Sequence, residues 1–496
     1  MGISESSLYQ NFKKITTLSP LQFQKKIRLE EAKKMLVSTN KEASDIAFLV
    51  GYESPSQFSR EYARMFGMPP KAHCSFLRDS INFVGSGNQY GIFFYPKIKR
   101  NSIIIKIKIQ IKDRKMVNFS YYNPTKIEFG KGKENSIGEY LNEYGAKNVL
   151  ILFGSDRVKK DGLFDKATAS LAKFGIKFSE LGGIVSNPVL SKVYEAINLA
   201  RKNGVDSVLA IGGGSVLDTA KSVAAGAKYD GDVWDLFLGK APIKDALMVF
   251  DIMTLAATGS EMNSFAVVTN EDTKEKISIT SSLINPKVSV INPELMKSIS
   301  KNYLVYSASD IIAHSIEGYL TATHHPEIIS KLVEANISTI IKTTEILLAD
   351  PDNYDARAEF AWAATCALNG TTYVGVGGYS YPNHMIEHSI SALYGVPHGA
   401  GLSVVMPAWM KWYKDKNEAQ FSRFAKVIFG KNSADEGIEA LKTWFEKIGT
   451  PTKLRDFGLD MSVSDITTTA LHHAKAFGIA DVYTKDVLEE ILNLAY

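Results

Sequence analysis

The sequence is poor in cysteine and has no long apolar run. Only two cysteines, Cys74 and Cys366, occur among its 496 residues, and they form no CxxC spacing. This pattern argues against a disulfide framework and a zinc ribbon, and it favours a reducing compartment. No stretch approaches the roughly 20 apolar residues that cross a bilayer, and no apolar segment opens the chain. The sequence therefore predicts a cytoplasmic protein without a membrane span.

The chain also lacks an excess of charge of either sign. Its 57 basic and 53 acidic residues leave a net charge of +4, so no argument for nucleic-acid or membrane binding can rest on the whole molecule. The hydrophobic fraction of 45% and the charged fraction of 22% are typical of a globular protein and exclude a largely disordered one. A chain of this length is expected to hold about two to four domains.

Residues 1–79 predict a small helical module. Apolar residues recur three and four positions apart in LQFQKKIRLEEAKKMLVS, as on a helix with one buried face. These positions include Phe23, Ile27, Ala32 and Leu36. A second stretch, EASDIAFLVGYESPSQFSREYARMFG, holds a turn at Gly51 and a helix start at Ser54 and Pro55. Two helices joined by a short turn are the plan of a helix-turn-helix.

These two stretches resemble the DNA-binding domain of AraC-type transcription regulators. Members of that family carry two helix-turn-helix units. The opening MGISESSLYQNFKK resembles the recognition helix of the first unit, without the helix that precedes it. The resemblance implies a truncated helix-turn-helix segment over residues 1–79, with DNA as its partner.

Residues 80–115 combine glycine and asparagine with an alternation of isoleucine and lysine. Alternation is typical of a half-buried strand, whereas low complexity is typical of a linker. A third interpretation is a translated intergenic stretch, because AT-rich DNA encodes Ile and Lys. Under that hypothesis Met116 is the natural start of the part that follows.

From Met116 onward, short apolar runs alternate with helical stretches. NVLILF (148–153), the 177–181 region and SVLAIG (207–212) predict strands of a parallel sheet covered by helices. The strand signal fades after about residue 298, where long helical segments dominate, and the boundary is expected near Pro293. We therefore predict an α/β Rossmann-like domain over residues 116–297 and an all-helical domain over residues 298–496.

Three loops of the predicted sheet domain carry groups suited to a dinucleotide. Gly212, Gly213 and Gly214 stand between a strand and a helix, where backbone N–H groups can bind a pyrophosphate; tight turns give similar triplets. The loop after the first strand, FGSDRVKKDG, offers Ser155 and Asp156 to a ribose or Arg157, Lys159 and Lys160 to a 2′-phosphate. The third loop, TLAATGSEMN, holds the hydroxyl residues Thr254, Thr258 and Ser260.

The helical half contains a constellation typical of a metal site. Asp310 and His314 lie four residues apart, and so do His384 and His388, which places each pair on one helix face. His398 follows on a turn. Imidazoles with one carboxylate suit a borderline divalent cation, although separate structural histidines are the alternative. The pairs at 324–325 and 472–473 are expected at the surface.

Residues 116–496 resemble the iron-containing (group III) alcohol dehydrogenases, in particular the butanol dehydrogenase-like branch. The motifs that carry this resemblance are GGGSVLDTAK, TGSEMN, DIIAHSIEGY and HMIEHSISALYGVPHGAGLSVVMP, in this order. The resemblance implies a dehydroquinate synthase-like architecture, a dimer, and a hydride transfer between a nicotinamide and a small aldehyde or alcohol. Glycerol dehydrogenase and dehydroquinate synthase types have similar folds and remain alternatives.

The same resemblance implies roles for individual residues. A ligand set for Fe2+ or Zn2+ maps onto Asp310, His314, His384 and His398, and His388 matches a further histidine near the substrate. Cofactor-contacting positions map onto Ser155, Asn187, Gly212, Gly213, Gly214, Ser215, Asp218, Thr254, Thr258 and Lys276. Ser155 permits NADP, whereas Asp156 in its place would favour NAD by repelling the 2′-phosphate. NADP(H) is the preferred expectation, and a DNA-binding regulator with a dehydrogenase-derived domain is the competing function.

Overall fold

The computed structural model describes residues 20–38, 41–66, 68–72 and 116–496. The chain separates into two compact units, Met1–Ile107 and Lys108–Tyr496, which are described one at a time. The predicted recognition helix in residues 1–14 lies outside the described residues. So does the 80–115 stretch with its three interpretations, and Met116 as a natural start stays a prediction.

The N-terminal unit contains three described helices: α1 (Pro20–Ser38), α2 (Ala43–Leu49) and α3 (Pro55–Phe66). The turn between α2 and α3 passes through Gly51 at φ 85°, a conformation that favours glycine. A small core buries Leu36 of α1, Ile46 of α2 and Phe58 of α3, whereas Ile27 is exposed. The predicted helix-turn-helix is therefore confirmed.

The second unit is built on a six-stranded parallel sheet with the order β1-β8-β5-β4-β2-β3. Its strands are β1 (Lys126–Phe129), β2 (Asn148–Phe153), β3 (Lys177–Leu181), β4 (Ser207–Gly212), β5 (Met248–Met253) and β8 (Val288–Ile291). A separate antiparallel hairpin comprises β6 (Phe265–Asn270) and β7 (Glu275–Thr280). The three strands expected from the sequence coincide with β2, β3 and β4.

The apolar runs of the central strands follow from burial on both faces. In β2, Leu150 and Leu152 face one core cluster, whereas Val149 and Ile151 face the other. Alternation of polar and apolar residues is absent because helices cover both faces of the sheet. These helices are α4 (Ile137–Glu143), α5 (Arg157–Lys160), α6 (Leu163–Lys173), α7 (Leu190–Asn203), α8 (Gly214–Ala227) and α9 (Val233–Phe237).

The remaining helices form the C-terminal part of this unit. They are α10 (Lys301–Thr321), α11 (Glu327–Ala349), α12 (Tyr354–Leu368), α13 (Pro382–Tyr394), α14 (His398–Tyr413), α15 (Glu418–Phe429), α16 (Ala434–Ile448), α17 (Val463–Ala476) and α18 (Lys485–Ala495). Ser300 caps α10, its hydroxyl accepting from the Tyr303 N–H at 3.3 Å. Most of α10 is buried, so it forms the centre of the helical part. Among the described helices, none has the length and apolar character needed to span a membrane.

The strand order creates a crevice at one edge of the sheet. From β2 the chain proceeds to β3 on one side and then returns to β4 on the other. In such open sheets, ligands bind where the loops diverge at the carboxyl ends of the strands. The loops that begin at Gly154 and Gly213 diverge at this position, and the glycine triplet belongs to the second of them.

One buried acid of the sheet makes the stability of the fold depend on pH. Asp251 of β5 is fully buried and accepts a hydrogen bond from Ser289 of β8 at 2.5 Å, while its Oδ2 has no partner among the described residues. Burial raises the pKa of Asp251 well above its ordinary value. The folded state then keeps a proton that the unfolded chain releases above about pH 4. Because of Asp251, the free energy of unfolding therefore decreases as the pH rises from about 4 to the pKa of Asp251 in the folded protein.

We expect Asp251→Asn to stabilise the protein more at pH 8 than at pH 5, by at least about 1 kcal/mol in the free energy of unfolding. Urea unfolding of both proteins at the two pH values measures this difference. Asp230→Asn, at an exposed position, is the control and should show no such pH dependence. If Asp251→Asn destabilised the protein more at pH 8 than at pH 5, Asp251 would not be protonated in the folded state.

Candidate active site

A cavity of about 730 Å³ lies at the crevice and extends from the sheet to the helical part. All the residues to which the family resemblance assigns a metal, cofactor or substrate role line it. They are Ser155, Asn187, Gly212, Gly213, Gly214, Ser215, Asp218, Thr254, Thr258, Lys276, Asp310, His314, His384, His388 and His398. The fold thus brings together groups as far apart in the chain as Ser155 and His398.

The glycine triplet allows the N-terminus of α8 to pack closely against a neighbouring loop. A Cβ on Gly212 would lie 2.4 Å from the Val216 side chain, and one on Gly214 would lie 2.4 Å from the Thr258 hydroxyl oxygen. Neither position has room for a side chain. The free N–H groups at the start of this 14-residue helix suit a pyrophosphate.

Two ionic residues of α8 hold the loop that carries Thr258. Asp218 accepts hydrogen bonds from the Ser260 hydroxyl at 2.7 Å and from the Val267 N–H at 3.0 Å. Lys221 is fully buried and donates to the carbonyl oxygens of Asn263 and Phe265 at 2.9 and 2.8 Å. Burial lowers the pKa of Lys221 to about 8. Asp218 was expected at the cofactor, and it both lines the cavity and anchors this loop.

The other end of the cavity is formed by the loop after β2. Ser155 and Arg157 are among its lining residues, and Asp156 is not. The Arg157 guanidinium donates to the Ser298 carbonyl oxygen at 2.5 Å and lies 3.3 Å from Asp161. Arg157 was considered as a partner of a 2′-phosphate, but its guanidinium already has these two partners in the structure.

Four donor groups converge where the cavity meets the helical part. Asp310 Oδ1 lies 3.5 Å from His314 Nδ1 and 3.7 Å from the Nε2 atoms of both His384 and His398. The Asp310, His314 and His384 atoms are buried and have no hydrogen-bond partner among the described residues. Buried polar atoms without partners are unfavourable, so an arrangement of them around one point indicates a bound group. One carboxylate and three imidazoles fit a divalent cation such as Fe2+ or Zn2+.

The electrostatics of these groups favour positive charge at their centre. Burial raises the pKa of Asp310, but the nearby imidazoles, His314 first, outweigh burial and hold this pKa below its ordinary value. Burial lowers the pKa of His314 to about 3. Burial also lowers the pKa of His384, but Glu317 and Asp310 outweigh it and raise this pKa to about 10. Neutral His314 and ionised Asp310 are the protonation states that a metal requires of its ligands, and a cation bound there would displace the proton from His384.

Two buried glutamates, neither of them expected from the sequence, orient two of the candidate ligand histidines. Glu317 of α10 accepts hydrogen bonds from His384 Nδ1 and from the Asn383 N–H. Glu387 of α13 accepts from His398 Nδ1. Each bond leaves Nε2 of its ring facing Asp310, as in the carboxylate–histidine–metal arrangement. Both glutamates lie within three residues of a candidate ligand in the sequence, which is the one signal available for them.

Lys276 and His388 complete the wall of the cavity on this side. The Lys276 ammonium donates to Asn187 Oδ1 at 3.0 Å and lies 3.5 Å from Glu387. His388 Nδ1 donates to the Lys276 carbonyl oxygen at 3.1 Å. Burial, and then Lys276, lowers the pKa of His388 well below its ordinary value, so the ring is neutral.

One histidine prediction is wrong. His473 was expected at the surface but is 2% exposed, because its helix α17 packs against α13 and β7. Its neighbour His472 is exposed, as expected. His324 and His325 are half-buried. Helical periodicity cannot identify the buried member of an adjacent pair unless the packing partners of the helix are known.

Comparison with known families and proteins identifies the family of the chain. Residues 124–293 match the family described as iron-containing alcohol dehydrogenase, and residues 304–496 match the C-terminal part of that family. A probable NADH-dependent butanol dehydrogenase 2 of Bacillus subtilis is 37% identical over 390 residues, which cover 76% of this chain and 99% of that protein. The chain belongs to the iron-containing alcohol dehydrogenase family. Its expected family and its expected alcohol dehydrogenase or aldehyde reductase class are confirmed.

Other relatives agree with this assignment. The NADPH-dependent aldehyde reductase YqhD of Escherichia coli is 35% identical, and the alignment covers 70% of this chain and 91% of that protein. The crystal structure of NADH-dependent butanol dehydrogenase A from Thermotoga maritima superposes with a TM-score of 0.74 at 46% identity and covers 77% of this chain and 99% of that one. The fold of an iron-containing alcohol dehydrogenase is thus confirmed for the second unit. Residues 1–73 match a helix-turn-helix domain.

We expect Glu317→Gln to weaken divalent metal binding by about 10- to 100-fold, because an amide holds the His384 ring less firmly than a carboxylate and makes it less basic. Fe2+ or Zn2+ titration against a competing chelator measures the affinity. Glu359→Gln is the control, since Glu359 is exposed on α12, away from the cavity lining. Equal metal affinity in Glu317→Gln and the unsubstituted protein would remove Glu317 from the site.

Proposed function

We propose that this protein is a metal-dependent NAD(P)-linked alcohol dehydrogenase that interconverts small aldehydes and alcohols, with its site at the cavity described above. The observation that carries the proposal is the position of four converging donor groups and of a glycine-rich helix N-terminus in one cavity. The donor groups suit a cation that binds a carbonyl oxygen, and the helix N-terminus suits a dinucleotide pyrophosphate. A hydride transfer needs both in one water-poor space.

Asp310, His314, His384 and His398 are the proposed metal ligands, and Fe2+ or Zn2+ is the proposed metal. Bound there, the cation supplies Lewis acidity toward the substrate oxygen, and the nicotinamide supplies or accepts the hydride. The protein holds the ligands by hydrogen bonds to Glu317 and Glu387. Preorganised groups of this kind need no rearrangement when charge develops on the substrate.

Each proposed cofactor-binding residue lies at a position that suits one part of the dinucleotide. The backbone of Gly212, Gly213, Gly214 and Ser215 receives the pyrophosphate, and Thr254, Thr258 and Asp218 form the adjoining wall. Asn187 and Lys276, joined by a 3.0 Å hydrogen bond, lie on the side nearer the candidate metal ligands. Ser155 lies at the ribose end. The positive φ of 54° at Asn187 is a conformation that asparagine tolerates better than most residues.

His388 is the proposed proton carrier. Its Nδ1 is committed to the Lys276 carbonyl oxygen, so the second nitrogen, Nε2, carries the lone pair. In the oxidation direction Nε2 takes up the proton that the alcohol hydroxyl loses. In the reduction direction Nε2 must first take up a proton from solvent and then pass it to the oxygen, because the buried ring is neutral at rest. The contacts of Nδ1 fix the ring orientation for both directions.

For the nucleotide we propose NADP(H), with NAD(H) as the alternative. Ser155 lines the ribose end of the cavity and has no charge to repel a 2′-phosphate. Relatives named for either nucleotide exist, since the Bacillus subtilis protein is described as NADH-dependent and the Escherichia coli reductase as NADPH-dependent. We also propose a homodimer, cytoplasmic location and a division into residues 1–79, 80–115, 116–297 and 298–496.

We expect the purified chain to oxidise NADPH in the presence of small aldehydes such as butanal, and to lose this activity after chelation until Fe2+ or Zn2+ is restored. Absorbance at the nicotinamide band with NADPH and NADH gives kcat/KM for each, and we expect the higher value with NADPH. His388→Ala should retain its metal and lose turnover by about 100-fold. No metal-dependent oxidation of either cofactor across an aldehyde panel would defeat the proposal.

A second function is favoured by one observation, the match of residues 1–73 to a helix-turn-helix domain. If the chain is a DNA-binding regulator with a dehydrogenase-derived domain, α3 enters the major groove. Binding to a specific operator should then survive salt that removes contacts made to phosphates alone. Gel shifts of the full chain on DNA flanking its own gene, across a salt series, measure this. Absence of any shift at low salt would leave the dehydrogenase alone.

A further inference from the structure

The backbone of Lys276 is held by two imidazoles. Lys276 pairs with Thr269 in the β6–β7 hairpin, yet its N–H donates to His473 Nε2 at 3.2 Å and its carbonyl accepts from His388 Nδ1 at 3.1 Å. Both peptide groups therefore point away from β6, at the free edge of β7. An edge strand leaves such groups without partners unless another element supplies them. Here α13 supplies His388 and α17 supplies His473.

His473 uses both ring nitrogens. Because a peptide N–H can only donate, Nε2 is the acceptor and the ring proton lies on Nδ1, 2.8 Å from the Ser389 hydroxyl oxygen. That hydroxyl donates in turn to the Met385 carbonyl oxygen at 3.5 Å. Burial, and then Lys276, lowers the pKa of His473 to about 4, which keeps the ring neutral. His473 thus joins β7 to α13 without contacting the candidate metal ligands through a hydrogen bond.

We infer that His473 is a positioning residue of the dehydrogenase reaction, which holds β7 against α13 and so fixes Lys276 relative to His388. The catalytic part of this inference rests on the proposed function. Lys276 lies on the cofactor side of the cavity and His388 on the substrate side. Under the proposed function, the position of β7 therefore affects how closely the cofactor approaches the substrate.

The geometry explains why a histidine is needed at this position. The ring spans from a strand N–H to a helix hydroxyl, and it offers an acceptor at one end and a donor at the other. An apolar residue would leave the buried Lys276 N–H without a partner, which is unfavourable. Displacement of the strand by about 1 Å can lower a reaction rate by about 100-fold. The candidate ligands Asp310, His314 and His384 lie on α10 and α13 and have no hydrogen bond to the strand. His398 lies 3.3 Å from the Lys276 ammonium, but Glu387 of α13 holds its ring, so we expect the ligand set to survive a small shift of the strand.

The experiment compares three variants of the full chain. His473→Leu removes both hydrogen bonds, His473→Gln keeps an acceptor for the Lys276 N–H, and His472→Leu changes the exposed neighbour on the same helix. Hydrogen exchange of peptides that contain the Lys276 amide reports the strand contact without any need for activity. Turnover, the cofactor KM, metal content and the primary isotope effect with C4-deuterated cofactor report the catalytic consequence.

We expect His473→Leu to exchange the Lys276 amide at least 10-fold faster, and to retain metal. Its kcat should fall by 10-fold or more and its isotope effect should rise, because hydride transfer becomes rate-limiting. His473→Gln should restore most of both properties, and His472→Leu should match the unsubstituted protein. If His473→Leu folds poorly, Ser389→Ala, which frees Nδ1 of His473, should show the same changes to a smaller degree.

Two results would overturn the inference. Unchanged exchange at Lys276 in His473→Leu would show that the ring does not hold the strand, whatever the activity. Faster exchange with unchanged kcat and isotope effect would show that the contact is structural only. If the unsubstituted protein oxidises neither cofactor, the proposed function and the catalytic part of this inference both fail, while the exchange data still decide whether His473 holds β7.

Discussion

Burying the Asp310 carboxylate beside three imidazoles is unfavourable unless a cation compensates it, and much of the helical part is arranged around this requirement. The donor atoms of Asp310, His314 and His384 have no hydrogen-bond partner among the described residues. The opposite ring nitrogens of His384 and His398 are bound to glutamates that are themselves fully buried. Such a cluster is stable only as a unit, which explains why it lies on α10, α13 and the start of α14, deep in the fold.

The same cluster connects the two halves of the second unit. Glu387 receives a hydrogen bond from His398 and lies 3.5 Å from the ammonium of Lys276, which belongs to the hairpin β6–β7. The Lys276 side chain continues to Asn187, whose amide donates to the Val396 carbonyl oxygen at 3.0 Å, next to the turn before His398. Charge at the proposed metal site and geometry at the proposed cofactor site are therefore held by one continuous network.

The glycine-rich end of the cavity follows a different principle. There the backbone supplies the binding groups, and side chains are excluded because Gly212 and Gly214 contact Val216 and Thr258 too closely. Asp218 and Lys221 hold the facing loop from the first two turns of α8. A buried lysine with three carbonyl or amide acceptors is costly to desolvate, and its hydrogen bonds offset that cost only if the loop keeps one conformation.

The order of the elements and most residues of the candidate site could be predicted from the sequence. Apolar runs bounded by glycine marked β2 and β4, and the i to i+4 spacing marked Asp310 with His314, because these patterns depend only on the local geometry of strands and helices. The partners that meet across different elements, by contrast, depend on how the helices and strands pack. Glu317 orients His384 rather than its neighbour His314, and His473 is buried although His472 is exposed, because helix packing selects the face that each residue presents. Periodicity specifies a face but not the element opposite it, and that choice rests on contacts between residues far apart in the chain.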